Sequence, residues 1–407
     1  MSYNRHIVVK AILLWTLGVT ILRGLRHPGY FAMTYWLVDY RFGFIKRGLL
    51  GSILSVVTSF LDMKPTKEII VTLSFIAFIL YFLALIILGL RIINRARWSM
   101  PAILTILAFF SSPSIVINAF TIGLFDNTIF VLVVISITLL LKGRIFLASC
   151  LQAVSILVHE SSLLTSYPVF CLAWLLFNQQ QNKQDGTPLP FWPLILPVGA
   201  FFALALNQEF FLPQNLKLSL AGHFSEFPFL DVKTSISVSQ FQTETFSGYY
   251  AWLEGYFSSR MSDASMYGVV LPSILVILFF IFDAFGIQVL STQSIVIMGV
   301  CLLPQLIHMV ALDTLRIWAY SIPASFLTLW VYTELLTPRI NFSPGIQILW
   351  LTAMIVNISV STSSMDYYTA SSNFSPSTRL FLYAPLIGLI LIRYHCWAKQ
   401  GISNKQS

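Results

Sequence analysis

Long apolar runs separated by short polar breaks dominate the chain. They fall at roughly 7–22, 68–90, 99–117, 127–141, 145–158, 161–177, 191–206, 267–285, 289–310, 317–336, 345–361 and 380–396. A backbone in lipid must satisfy its own hydrogen bonds, so runs of this kind predict membrane-spanning helices. Several are shorter than the ~20 residues that a straight span needs, which widens the expected count to about 10–13. The stretch 48–61, GLLGSILSVVTSFL, is 14 residues long and suits an interfacial or re-entrant helix better than a span. The predicted fold is therefore all-α: one polytopic integral membrane domain over 1–407 with about twelve transmembrane helices. An amphipathic first outer loop (23–67) carries interfacial helices, and a long outer loop (207–266) lies between spans seven and eight. A structureless loop of that length is uncommon, so it is expected to form a lid or a binding surface.

Composition narrows the classes further. Of 407 residues, only 10% are charged and 57% are apolar, against about 25% charged in an average soluble domain. Such a chain would expose too much apolar surface to stay dissolved, which excludes a soluble enzyme. No Lys/Arg run could track a phosphate backbone, so nucleic acid is not an expected partner. Cys150, Cys171, Cys301 and Cys396 sit in or beside apolar runs without metal spacing and read as inert thiols. No small-residue cleavage site follows the first run, so it reads as an uncleaved anchor. Arg91, Arg95, Arg97, Lys142, Arg144 and Lys183 lie in short loops that the positive-inside rule assigns to the cytoplasm, with both termini on that side. On this topology 13 of the 16 acidic residues face outward. Short loops and the lack of a clear glycosylation pattern point to a bacterial inner or plasma membrane.

Ionisable residues at span ends need a reason, and four groups stand out. Asp39 shares an aromatic segment with Arg41, Lys46 and Arg47. It reads as a general base beside a phosphate clamp, or as an interfacial anchor with an internal Asp39–Arg41 pair. Asp126 opens span four as a helix cap or as a second catalytic carboxylate. His159 and Glu160 are adjacent at the outer end of span five, costly there unless paired or used. His308, Asp313 and Arg316 lie where span nine meets span ten. There Arg316 would hold a phosphate leaving group with Asp313 orienting it, or the two would simply pair on one helix face. The third outer segment adds scattered carboxylates with Tyr249, Tyr250 and Trp252, a weak carbohydrate signal.

With these groups on one face and span interiors nearly free of charge, the chain resembles the GT-C superfamily of polytopic glycosyltransferases, which use polyprenyl-phosphate sugars. The resemblance is architectural and covers most of the length. It implies a catalytic acid at Asp39 in the first outer loop, a second acidic position at Asp126, and a His-Glu motif at His159-Glu160. It also implies Arg316 with Lys46 or Arg47 on the departing phosphate. Asp126 is followed by Asn127 rather than lying in a D-x-D motif, so a divalent metal is left open. The implied partners are a polyprenyl-phosphate or -diphosphate sugar, a glycan or lipid acceptor, and membrane lipids. Two competitors remain. An O-antigen or exopolysaccharide polymerase would depend on its arginines more than on Asp39. A flippase or transporter of lipid-linked oligosaccharide would need essential polar residues inside spans.

Overall fold

The computed structural model describes residues 3–186, 188–245, 247–248, 264–309 and 314–338. The predicted spans at 345–361 and 380–396, Asp313, and residues 249–263 of the long loop lie outside the described residues.

Every regular element among the described residues is helical, and the one β feature is an isolated bridge between Ile122 and Leu124. The order is α1 (Tyr3–Gly24), α2 (Tyr30–Tyr35), a 3-10 turn (Tyr40–Phe42), α3 (Gly48–Phe60), α4 (Lys67–Arg95), α5 (Met100–Phe110), α6 (Pro113–Phe120), α7 (Asp126–Leu141) and α8 (Ile145–Val158). It continues with α9 (Ser162–Thr165), α10 (Tyr167–Asp185), α11 (Trp192–Phe210), α12 (Leu216–Ser225) and α13 (Val232–Thr243). After the break come α14 (Ala264–Phe285), α15 (Thr292–Leu302), a 3-10 stretch (Leu303–Met309) and α16 (Thr314–Leu335).

Local chemistry sets many of these boundaries. The Thr66 hydroxyl accepts the Ile69 N–H to open α4, and Asp231 and Ser291 cap α13 and α15 in the same way. Proline sits in the first turn of α5, α6, α10 and α11, where its missing N–H costs nothing. Four segments are long and apolar enough to cross a membrane: His6–Gly24, Lys67–Arg95, Met100–Phe120 and Trp192–Phe210. Helix α4 buries Ile70, Ser74, Phe78, Tyr81, Leu85, Leu88 and Ile92 on one face. Its other face, with Ile76, Ile79, Leu83 and Ile87, is exposed yet equally apolar, as a helix facing lipid requires.

Two predicted spans are broken. Residues 99–117 were expected as one helix, but α5 ends at Phe110 and α6 starts at Pro113. Pro113 cannot donate to the ladder, and the Ser111–Ser112 pair precedes it, with Ser111 donating its hydroxyl to the Ala108 carbonyl. The expected run 161–177 splits at Ser166, between the single turn of α9 and Pro168 in the first turn of α10.

Helix α16 lies at the centre, packed against α4, α6, α10, α14 and α15. Phe326 stacks on Phe109 of α5 at 3.9 Å, and Trp330 is fully buried. Each end of α16 carries a polar cluster. Near its C-terminus, Glu334 lies between Arg91 (3.6 Å) and Arg95 (3.2 Å) at the end of α4. Near its N-terminus, Arg316 reaches Asp126. The two ends are 18 residues apart, a rise of about 27 Å, close to the ~30 Å thickness of a hydrocarbon core.

Candidate functional site

The Arg316 end gathers four segments that are remote in sequence. The first is the turn after α2. Trp36 donates its ring N–H to the Gly123 carbonyl at 3.0 Å, which ties this turn to the loop before α7. Further on, Arg47 caps α3 in the left-handed region at φ 62°, a conformation that costs a bulky residue energy. The geometry aims its guanidinium across the molecule. Arg47 is bidentate on Glu160, with Nε 3.1 Å and Nη2 2.5 Å from Oε1, and it lies 4.8 Å over the Tyr35 ring. Both partners of this pair are about one-sixth exposed.

Glu160 and His159 follow α8, in the turn that leads to α9. The His159 Nδ1 accepts the Ser161 backbone N–H at 3.1 Å, so the ring proton sits on Nε2. Burial, followed by the Arg47 charge, pushes His159 down to about 4. The 3.4 Å approach of Nδ1 to Glu160 is therefore a contact of a neutral ring rather than an ion pair at neutral pH. Burial alone would raise the Glu160 carboxyl; Arg47, with His159 and Lys46, more than reverses this and holds it well below the usual carboxylate range. Beneath the turn, Ser155, Ser162 and Ser166 form a chain of hydroxyls at 2.7 and 2.5 Å, with Gln152 donating to Ser166. This polar ladder holds the broken span in place.

Of the two sequence readings of Asp126, helix cap or second catalytic carboxylate, the structure overturns the cap. It is the first residue inside α7, the cap position belongs to Phe125, and no side-chain cap bond forms there. Its Oδ1 instead accepts the Tyr320 hydroxyl at 2.7 Å, and Oδ2 lies 3.6 Å from the Arg316 Nε. Oδ2 is buried and accepts no hydrogen bond among the described residues. Asp126 also lines a small cavity of about 40 Å³ together with Tyr81, Asn118, Ser166 and Tyr320 and apolar residues such as Phe130 and Leu327.

Lys46 joins the cluster from the outer-loop side. It is 5% exposed and donates to the Glu244 carbonyl at 3.2 Å. Burial lowers it to about 7, partly offset by Glu160 and Glu244. Gln208 at the end of α11 donates to the same carbonyl, and Asn207 donates to the Phe44 carbonyl at 2.5 Å. The segment before α3 and the segment from α11 to α13 are thus stitched together beside the site.

Asp39 does not join this group. It is 2% exposed, and both its oxygens accept from Arg41: Oδ1 from the backbone N–H and Nε, Oδ2 from Nε and Nη2. It caps the 3-10 turn, and its neighbourhood includes His223 of α12, whose ring lies tilted 5.2 Å from that of Phe42. Asp313 and the side chain of His308 lie outside the described residues. Among those described, no three His, Cys, Asp or Glu side chains gather as a metal would need.

Sequence reasoning missed Tyr320, Tyr35 and Ser166. Tyr320 had a signal, since it follows Arg316 by four positions and so shares its helix face. Tyr35 and Ser166 had none beyond their neighbours.

The model of a family described as uncharacterised membrane protein Rv1490 matches residues 6–187, less than half of the chain. The match spans α1 to α10, so it covers Arg47, Asp126, His159 and Glu160 but neither Arg316 nor Tyr320. No curated protein and no solved structure matches the chain. The match and the apolar helices together identify a membrane protein.

Proposed function

We propose that this membrane protein is a glycosyltransferase that moves a sugar from a polyprenyl-phosphate donor to an acceptor hydroxyl, with its site on the extracytoplasmic face. The observation that carries the reading is Asp126. Its Oδ1 is held by Tyr320, while its buried Oδ2 accepts no hydrogen bond among the described residues and lies 3.6 Å from the Arg316 Nε, and Asp126 itself lines a small cavity. A buried acceptor left unmatched costs roughly 1–3 kcal/mol, and an incoming hydroxyl would relieve it.

In the proposed step the acceptor O–H gives its proton to Asp126 Oδ2 as its oxygen bonds to the anomeric carbon. The anomeric C–O bond to phosphate breaks, and the electron pair leaves with the phosphate. Arg316, Arg47 and Lys46 meet that charge, and the His159 Nε2–H adds a neutral donor. Glu160 keeps Arg47 in place. Asp39, with both oxygens committed to Arg41, is assigned to shaping the loop rather than to proton transfer.

The breaks between α5 and α6 and between α9 and α10 favour a second reading, because transporters place substrates at discontinuous helices. Reconstitution of the full chain with polyprenyl-phosphate and polyprenyl-diphosphate hexoses separates the two. Sugar transfer is expected from the monophosphate, falling about 10²–10⁴-fold in Asp126→Asn, the range of general-base catalysis. Full turnover by Asp126→Asn removes the assignment. Transfer from the diphosphate alone selects a polymerase, and flux of lipid-linked sugar without transfer selects transport.

A further inference from the structure

The cavity that Asp126 lines carries a second group that the proposed reaction leaves unused. Most of its polar lining is satisfied. Asn118 donates to the Ser114 carbonyl at 2.8 Å, Ser166 belongs to the serine ladder, and Tyr320 donates to Asp126. Two lining residues keep a buried oxygen that makes no hydrogen bond among the described residues, the Asp126 Oδ2 and the Tyr81 hydroxyl. Tyr81 comes from α4, is 1% exposed, and lies near enough to Asp126 to feel its charge. Its ring packs edge-on against Phe82 and Phe130 at 5.3 and 4.9 Å, and Ser114 approaches its hydroxyl without forming a hydrogen bond. The two oxygens are complementary, because an ionised carboxylate only accepts and a phenol can donate. One alcohol group between them satisfies both, donating to Asp126 and accepting from Tyr81. The cavity also has an apolar wall of Ile129, Phe130 and Leu327. Its volume of about 40 Å³ holds about three water-sized groups, at roughly 10–15 Å³ each. A hydroxymethyl arm has two heavy atoms and fits, whereas a pyranose ring does not. Water would satisfy the two oxygens but leave the apolar wall unmatched, and the methylene of the arm covers it.

We propose that this cavity receives the hydroxymethyl arm of a hexoside acceptor, with Tyr81 donating to the arm's oxygen and Asp126 accepting its proton. This rests on the glycosyltransferase reading for the reaction, and it adds the class of acceptor and a residue, Tyr81, that selects it. A secondary ring hydroxyl is one bond shorter, so the ring would have to enter with it. The arm's oxygen keeps its second lone pair for the anomeric carbon. Arg316, 3.6 Å from the Asp126 Oδ2, places the cation for the departing phosphate next to that oxygen.

The test uses the full chain in phosphatidylcholine nanodiscs. Thr165, which also lines the cavity, is replaced in Thr165→Cys, and its modification by methyl methanethiosulfonate is followed at that residue by mass spectrometry. The probes are methyl glucopyranoside and methyl xylopyranoside, the same ring without the arm. The glucoside is expected to slow modification saturably, and the xyloside to need at least about tenfold more for equal protection. Adding Tyr81→Phe should raise the half-protecting glucoside concentration about tenfold, the worth of one hydrogen bond. The melting temperature should hold, because the ring stays and only an unpartnered hydroxyl is lost. No protection by the glucoside, equal protection by the two sugars, or an unchanged concentration in Tyr81→Phe overturns the proposal and leaves the cavity to water. Transfer from polyprenyl-phosphate hexose to methyl glucopyranoside is assayed separately on the unsubstituted chain. Its absence with protection intact removes the transferase reading alone, and its presence without protection removes the cavity assignment alone.

Discussion

Asp126 and Asp39 are both buried carboxylates, yet their surroundings give them different work. Asp39 spends both oxygens on Arg41, whose own side chain is 62% exposed. Asp126 spends one on Tyr320. Removing that hydroxyl in Tyr320→Phe should leave the fold intact and free the carboxylate to rotate. A roughly tenfold loss in kcat is expected, about the worth of one hydrogen bond to a charged group. The pH–rate profile should move with it, which a purely structural loss would not cause. The Arg47–Glu160 pair predicts a different pattern. Glu160→Ala strands a buried guanidinium and should cost about 3–5 kcal/mol of stability. The double change with Arg47→Ala should recover part of that, read as melting temperature in detergent; simple additivity would deny the coupling. His159 sets a pH dependence. Its folded value near 4 lies below the usual ~6.5, so the unfolded chain binds a proton that the folded chain does not. Stability is full above pH 6.5 and falls as pH drops toward 4, by roughly 3 kcal/mol in all. Glu160 adds a further loss only at lower pH, as its depressed carboxyl protonates. His159→Gln should flatten the melting curve between pH 6.5 and 4.5; an unchanged slope would point to another group.

At the scale of elements, the site depends on helices that stop early. Arg47, Asp126, Glu160 and Arg316 all lie at or next to helix ends, where side chains can converge from several directions. Gly51 shows how one position fixes an element. Gly51→Ala should push α3 off residues 36–38 and carry Arg47 with it. Activity is expected to fall more than the 1–3 kcal/mol of overpacking implies for stability. Wild-type turnover with a lowered melting temperature would mean that α3 does not position Arg47. The breaks at Ser111–Pro113 and at Ser166 fall inside stretches that length and hydropathy read as single spans. Each break carries serine and proline, Ser111-Ser112-Pro113-Ser114 and Ser166-Tyr167-Pro168, which compete for or remove backbone hydrogen bonds, while the apolar residues on either side make each stretch look like one span.

The whole molecule carries one polar cluster at each end of α16, and the two are not equivalent. Arg95–Glu334 is exposed on its arginine side at 58%, so Arg95→Ala should change stability by at most about 1 kcal/mol and leave turnover alone. A large loss of turnover would mean that the far end is coupled to the site. Cysteines placed at Asn215 and Asn182, both exposed, address orientation. Asn215 is expected to label from outside and Asn182 from inside. The reverse pattern would put the site on the cytoplasmic face and remove the extracytoplasmic assignment.

Composition and the length of apolar runs determined the helical, membrane-embedded class by themselves. That follows because lipid leaves a backbone no other way to satisfy its polar groups. The scarcity of charge also drew attention to a short list of ionisable residues near span ends, each costly there without a partner. The local Asp39–Arg41 pair, one of the two sequence readings of Asp39, does form, because two positions of chain suffice to hold it. The choice of distant partners belonged to the tertiary structure. Arg316, for which the sequence offers either a phosphate or Asp313 three residues away, reaches Asp126 across 190 positions of chain, and Asp313 lies outside the described residues. Pairings across a helical bundle depend on rotation and depth of whole helices, which packing of apolar faces sets, and no local spacing in the sequence records them.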